Sequence, residues 1–214
     1  MKRKGAQIRG MLEGRAAWLL GGGTSLSGID FTKLDNEFTI AVNHTIEHYP
    51  NADALLFGDK IFLHKTNFDI KSYKGLIFCS EKCTKSKPID EMLDNDNLFI
   101  FDDRRDEPTL NPRVGLFHSG SSGMLALNLA IQMKAKKIYL LGYDYHYSNG
   151  KIHYYPDMEH HLKYPAERLP RKAAKFVYFE KWKDKIINLS PTSVIQTFQK
   201  RDWREYDILR NTSA

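Results

Sequence analysis

Ala16-Ala17-Trp18-Leu19-Leu20 runs without a break into Gly21-Gly22-Gly23-Thr24-Ser25-Leu26. Five apolar residues with no polar alternation describe a strand covered on both faces, the kind found in parallel sheets. Glycines placed straight after it let backbone N–H groups approach a ligand closely, and the Thr24 and Ser25 hydroxyls add donors. The stretch is neither G-x-G-x-x-G nor a Walker sequence, so a plain tight turn is the competing reading. A phosphate or nucleotide cradle is the expectation at Gly21, Gly22, Gly23, Thr24 and Ser25.

The same pattern recurs along the chain. Phe38–Val42, Ala54–Phe57, Gly75–Cys79 and Asn97–Phe101 read as strands, ending at Asn43-His44, Gly58-Asp59, Ser80 and Asp102-Asp103. Residues 121–134 form a helical pattern crowded by Leu125, Leu127, Leu129, Ile131 and Met133, so most of its surface should be buried. Lys137–Leu141 is the next strand and ends at Gly142-Tyr143-Asp144-Tyr145. Arg171–Lys183 reads as a helix and Lys185–Leu189 as a last strand before Ser190-Pro191-Thr192-Ser193. Strands alternating with helical segments predict an α/β fold, a Rossmann-like open and mostly parallel sheet with helices on both faces. Ligands of such sheets sit at the carboxyl ends of the strands. That places Gly21–Ser25, Asn43, Asp59, Ser119–Gly123, Asp144 and Ser190–Ser193 around one crevice.

His118-Ser119-Gly120-Ser121-Ser122-Gly123 leads directly into the buried helix. The free N–H groups and positive end of a helix suit an anion, so Ser121, Ser122 and Gly123 are nucleotide-binding candidates; a serine N-cap is the alternative. Residues 146–166 lack any period and are rich in His, Tyr, Asn, Gly and Pro, which reads as a lid on a single domain spanning residues 1–214. The lid carries His146, His153, His160 and His161, side chains able to act as general bases or to stabilise a phosphate when charged.

Asp102-Asp103 has the carboxylates that suit a divalent ion, yet Arg104-Arg105-Asp106 follows and a charged surface turn is the expectation. Cys79 and Cys83 have no second pair to complete a zinc site. Arg168, Arg171, Lys172 and Lys175 share one helical face, read as solvated or as a contact for phosphates. The chain of 214 residues carries a net charge of +6, which favours phosphorylated ligands, nucleic acid or an anionic surface. No signal peptide or stretch long enough to span a bilayer is present, so a cytoplasmic protein is expected.

In order along the chain, these blocks resemble the bacterial sialyltransferases of the small cytosolic-domain type. They also resemble the wider group that includes the hydroxymethylpterin pyrophosphokinase-like proteins. The family's G-x-G-P-S-L turn and I-D-Y-x-x-L segment are similar to Gly21–Leu26 and Ile29–Leu34. Its nucleotide-binding asparagine matches Asn43, and its S-G, A-I-A and K-E-I-Y-L-x-G-I-D-F blocks resemble Ser122-Gly123, Ala130-Ile131 and Lys136–Tyr145. Its closing C-P-N-S-L-L resembles Ser190–Ile195. The resemblance implies metal-independent transfer of a sugar from a nucleotide-sugar, with a lid histidine as general base, at His161 or its neighbour His160. The two lid tyrosines that stabilise the leaving phosphate fall at His146 and His153, and a second donor-binding asparagine falls at Gly58, beside Asp59.

A glycosyltransferase is therefore expected, with no required cofactor beyond a CMP- or UDP-linked sugar donor. Its partners would be the nucleotide-sugar and a glycan acceptor, in a possible homo-oligomer. Three alternatives stand beside it. One is a transferase acting on hydroxylated bases in DNA. Another is an Mg-dependent pyrophosphoryl transferase using Asp59, Asp102, Asp103 and Asp144. The last is a non-catalytic nucleotide-binding module on the same scaffold.

Overall fold

The computed structural model describes residues 7–84, 89, 91–92, 95–102, 107–111, 115–156 and 165–206. It contains one eight-stranded sheet whose strands are β1 (Ala16–Leu20), β2 (Thr39–Val42), β3 (Ala54–Phe57), β4 (Leu76–Ser80), β5 (Leu98–Phe101), β6 (Lys137–Leu141), β7 (Ile186–Asn188) and β8 (Gln199–Lys200). Their order is β5-β4-β3-β2-β1-β6-β7-β8 and every neighbouring pair is parallel. The fold is the Rossmann-like open α/β arrangement expected.

Alternation along the strands feeds two cores, one on each face. Ala17 and Leu19 of β1, with Ala54 and Leu56 of β3, point into one core; Trp18, Leu20, Leu55 and Phe57 point into the other. The first core is completed by α3 (Ser122–Gln132), in which every residue from Met124 to Gln132 is buried. The second takes Ile46 of α1 (Thr45–His48) and Phe62 and Leu63 of α2 (Lys60–Lys65). Such double coverage explains why these strands read as unbroken apolar runs.

The helix expected over Arg171–Lys183 is two elements instead. An α-helix, α4, spans Arg168–Ala174, and a 3-10 stretch follows over Lys175–Lys185. Pro170 is the third residue of α4, where its missing N–H has no helical acceptor to lose, so the helix starts before the proline rather than after it. Phe176 and Phe179, three residues apart, share the buried face of the 3-10 segment.

β1 lies at the topological switch point. The chain builds β2 to β5 on one side of it and then returns to place β6 on the other. A crevice opens at such a point beyond the carboxyl ends of the strands. Among the described residues, no helix is long and apolar enough to cross a membrane.

Candidate functional site

A cleft of about 260 Å³ opens at the switch point. Gly21, Gly22, Gly23, Asn43, Asp59, Gly120, Ser121, Ser122 and Gly123 line it, together with Gly142, Tyr143, Tyr145, Ile152, His153, Tyr155, Leu169 and Lys172. Most of the residues nominated from the sequence therefore meet in one place.

The three glycines after β1 each answer to a different neighbour. A Cβ on Gly21 would stand 2.5 Å from the Gly142 carbonyl oxygen, because the turns after β1 and β6 touch backbone to backbone. Gly21 N donates to Leu141 O at 2.7 Å and Gly23 N to Gly142 O at 2.9 Å, which closes that contact. A Cβ on Gly22 would meet His153 Cδ2 at 2.7 Å and the Tyr155 hydroxyl at 2.8 Å. One on Gly23 would stand 2.4 Å from Cγ of Asp144. The turn is small because three different elements press on it.

Asp144 is a correction to the sequence reading. It is buried and absent from the cleft lining. Its carboxylate accepts from Ser25 N at 2.7 Å, from the Thr24 hydroxyl at 3.2 Å and from the Ser25 hydroxyl. Thr24 and Ser25 thus spend their side chains on Asp144 rather than lining the cleft. Ser190 and Ser193 are likewise buried: Tyr143 N donates to Ser190 Oγ at 2.9 Å, and Ser193 Oγ donates to Tyr143 O at 2.6 Å. They clamp the turn after β6 from below.

Asn43 follows β2 with φ 53, a left-handed conformation that asparagine tolerates better than most side chains. Its backbone N–H is used by Leu56 O at 3.0 Å, while its side-chain Oδ1 is buried with no partner among the described residues. A buried acceptor left unpaired at a cleft wall is a place for a ligand donor. Thr45 Oγ1 donates to Gly21 O at 2.8 Å and ties this strand end to the glycine turn. Tyr145 also lines the cleft at positive φ, and Ser119, one residue before the lining, does the same. Strained backbone of this sort concentrates at functional sites.

The first turn of α3 leaves the N–H groups of Ser122 and Gly123 without helical acceptors. Ser121 occupies the N-cap without a side-chain cap bond, and its hydroxyl instead pairs with the Tyr145 hydroxyl. Gly58 is buried beside this turn: a Cβ there would meet Leu125 Cδ1 at 2.8 Å and Ser122 Oγ at 3.4 Å. It belongs to the packing behind the cleft and does not line it, which corrects its nomination. Asp59 does line the cleft, and its Oδ1 caps α2 by accepting from Ile61 N at 2.8 Å and Phe62 N at 3.2 Å.

Of the four histidines nominated between residues 146 and 166, His153 lines the cleft. It forms an antiparallel bridge with Gly23 and stacks on Tyr155 at 4.8 Å between ring centroids, 7° from parallel. His48 stacks on Tyr155 at 5.3 Å, so the tyrosine is held between two imidazoles. Tyr154 N donates to Gly22 O at 3.0 Å and pins the segment onto the glycine turn. His146 does not line the cleft; its Nδ1 contacts Tyr147 O at 2.8 Å and its Nε2 is buried with no partner among the described residues. His160 and His161 lie outside the described residues, as does Asp103.

Tyr155 is one of five tyrosines that the sequence offers between residues 145 and 164 without singling it out, and Lys172 belongs to the basic face read as solvated or as a contact for phosphates. The signal for the first was spacing: in an extended segment, residues two apart share a side, and Tyr155 follows His153 by two. Lys172 comes from α4 and lines the cleft beside Gly120, where a Cβ would be 3.8 Å from its Cε. Asp102 follows β5, the terminal strand, four strand steps from β1 or about 19 Å away. Asp59, Asp102 and Asp144 therefore do not converge as the pyrophosphoryl-transfer alternative needs. Among the described residues no three of His, Cys, Asp and Glu gather where they could hold a metal ion.

No protein-family model matches the chain, and no curated protein does. Solved structures do. The chain is similar to the sialyltransferase CstII from Campylobacter jejuni in complex with a substrate analogue, cytidine-5'-monophosphate: 20% identity over 87% of this chain and 84% of that one, TM-score 0.51. It is similar to the sialyltransferase CST-II in complex with trisaccharide acceptor and CMP: 18% identity over 92% and 88%, TM-score 0.53. The chain has a sialyltransferase-like fold. The two structures give no support to the link with hydroxymethylpterin pyrophosphokinase-like proteins.

Proposed function

We propose that this protein is a glycosyltransferase that moves a sugar from a nucleotide-sugar donor to a hydroxyl of a glycan acceptor, without a metal ion. The observation that carries this reading is the convergence of the Gly21–Gly23 turn, the unpaired Asn43 amide oxygen and the first turn of α3 on one cleft at the switch point. The N–H groups of Ser122 and Gly123 suit a phosphate, and the side-chain-free glycine turn, whose Gly21 and Gly23 N–H groups are spent on the turn after β6, lets it approach closely. The two solved structures of the same fold contain CMP, one with a trisaccharide acceptor, which agrees with a nucleotide-sugar and a glycan.

Direct displacement at the sugar needs a base for the acceptor hydroxyl and stabilisation of the departing phosphate. Residues 146–166 serve as the lid of a single domain. His161, or His160 beside it, acts as the base. His153, with Tyr155 next to it, faces the leaving phosphate; both rings already touch the glycine turn. His146 is directed away from that task by its place outside the cleft lining. The alternative with hydroxylated bases in DNA as acceptors has no observation of its own.

The test is a melting-temperature panel with CMP, UMP, UDP, GDP and ATP, each with and without Mg²⁺. A ligand at about 100 times its dissociation constant adds roughly 2.7 kcal/mol of stability. A metal-independent shift with one nucleotide supports the transferase and names its donor class. A shift only with ATP and Mg²⁺ supports pyrophosphoryl transfer instead. His161→Ala should lower turnover with little change in nucleotide affinity, and unchanged turnover removes it as the base.

A further inference from the structure

Lys172 is the one lysine or arginine in the cleft lining among the described residues. It lies on α4, where Leu169, one turn earlier, is buried and lines the same cleft. Residues three apart on a helix share a face, so Lys172 is drawn inward with Leu169. Arg168, Arg171 and Lys175 are exposed and stay outside the lining. Gly120 places the end of the Lys172 side chain. It has φ 83 and no side chain, and a Cβ there would touch Lys172 Cε at 3.8 Å. Gly120 stands two residues before the start of α3, so the ammonium, one bond beyond Cε, is carried to the entry of that helix.

The glycine turn arrives at the same place. A Cβ on Gly123 would stand 2.9 Å from Cε1 of Tyr143, and one on Gly21 would stand 3.1 Å from Cδ2 of the same ring. A single aromatic ring thus lies against both backbone segments. The N–H groups of Ser122 and Gly123, which lack helical acceptors, meet the side-chain-free turn and the ammonium of Lys172 in one cleft. Asp59 is the one carboxylate of the lining, and its Oδ1 is committed to the start of α2 through Ile61 N and Phe62 N.

We infer, resting on the nucleotide-sugar reading, that Lys172 binds the donor phosphate next to the sugar and holds the charge that this phosphate gains as the sugar leaves. In the transfer the bond from the anomeric carbon to the phosphate oxygen breaks, and its electron pair stays on that oxygen. The acceptor hydroxyl oxygen bonds to the anomeric carbon, and its proton goes to the base. The phosphate ends with one more negative charge than it had in the donor. A cation beside it therefore binds the product nucleotide, and the transition state that leads to it, more tightly than the donor. The helix N–H groups fix the direction of the contact and the ammonium supplies the charge.

The experiment is calorimetric titration of wild type, Lys172→Met and Lys172→Arg with three sets of ligands. The sets are cytidine, uridine and guanosine; CMP, UDP and GDP; and CMP-sialic acid, UDP-glucose and GDP-mannose. Methionine keeps most of the apolar stem and removes the charge, and Lys172 is half-buried, so the variants keep their melting temperature. Wild type is expected to bind one nucleotide more tightly than its nucleoside. Lys172→Met is expected to lose about tenfold on that nucleotide, less on the matching nucleotide-sugar and nothing on the nucleoside. Lys172→Arg is expected to keep most of the affinity, and added salt should weaken the nucleotide binding of wild type more than that of Lys172→Met. Three results overturn the assignment and leave the transferase reading standing. The first is an unchanged nucleotide affinity in Lys172→Met. The second is an equal loss on nucleoside and nucleotide, which would make Lys172 a support of the nucleoside. The third is an equal loss on nucleotide and nucleotide-sugar, which would mean that the lysine does not meet the charge released. Failure of every nucleotide and nucleotide-sugar to bind wild type removes the transferase reading, and the Lys172 assignment with it.

Discussion

Asp144 accepts the backbone N–H of Ser25 at 2.7 Å across 119 residues of sequence, and only the absence of a side chain at Gly23 lets the carboxylate reach it. The turn that lines the cleft is thus built by a buried acid behind it. Asp144→Ala would leave the Ser25 N–H without its acceptor and should cost about 3 kcal/mol. Gly23→Ala should cost at least as much, because its Cβ would stand 2.4 Å from Cγ of Asp144. The pair should be coupled: in the Asp144→Ala background the added methyl has room, so the double variant should be more stable than the sum of the singles predicts, by about 1–3 kcal/mol. Urea denaturation of the four proteins measures this, and additive costs would mean that the two residues do not meet as described.

Gly22 governs residues 152–155 in the same way. Its carbonyl accepts from Tyr154 N, and a Cβ would collide with His153 and Tyr155. Gly22→Ala should lift residues 152–155 off the turn while leaving the two cores untouched. Lys151 sits just before that segment and is exposed, so trypsin reports its release. Cleavage there should quicken by about tenfold for a local opening made easier by about 1.4 kcal/mol, with little change in melting temperature. An unaltered cleavage rate would show that the glycine turn does not hold this segment.

Asn128 stands in the middle of the buried helix α3, where a polar side chain needs a reason. Its Oδ1 accepts from Phe117 N at 2.9 Å and its Nδ2 donates to Thr109 O at 2.8 Å; four residues on, Gln132 Nε2 donates to Gly115 O at 2.8 Å. The two amides hold the segment that leads into Ser119–Gly123. Asn128→Leu keeps the volume nearly constant but orphans a buried N–H and a carbonyl, and should destabilise by about 3 kcal/mol. A midpoint shift in urea below about 1 kcal/mol would mean that these bonds are replaced.

What the sequence disclosed follows from periodicity and its limits. β1, β3 and β6 match their expected bounds to the residue, because a strand buried on both faces is an unbroken apolar run with sharp ends. α1 and α2 are four and six residues long, too short to show a helical period, and β8 has two residues. The cleft glycines, Asn43 and Ser121–Gly123 were legible because polar residues after parallel strands face the ligand crevice. The same rule misplaced Asp144, Ser190 and Ser193. Residues at strand ends also have to hold the turns, and which of the two tasks a side chain performs is decided by contacts more than 40 residues away in sequence.

Cys79 ends the apolar run of β4 fully buried, and burial, with a smaller contribution from Cys83, pushes its thiol pKa far up. In the unfolded chain the same thiol ionises near pH 8.5. Above that pH the unfolded state has lost a proton that the native state keeps, so the native state is favoured less as pH rises. The contribution is complete below pH 8.5 and is lost as the pH climbs beyond it, by up to about 1.4 kcal/mol per unit from this one group. Guanidinium unfolding at pH 7.5 and 9.5 should therefore show a fall in stability that is smaller in Cys79→Ala. Alanine lowers stability at both pH values by emptying volume in the core but carries no proton to lose. An identical pH dependence in wild type and variant would show that the thiol at the end of β4 is not protected in the native state.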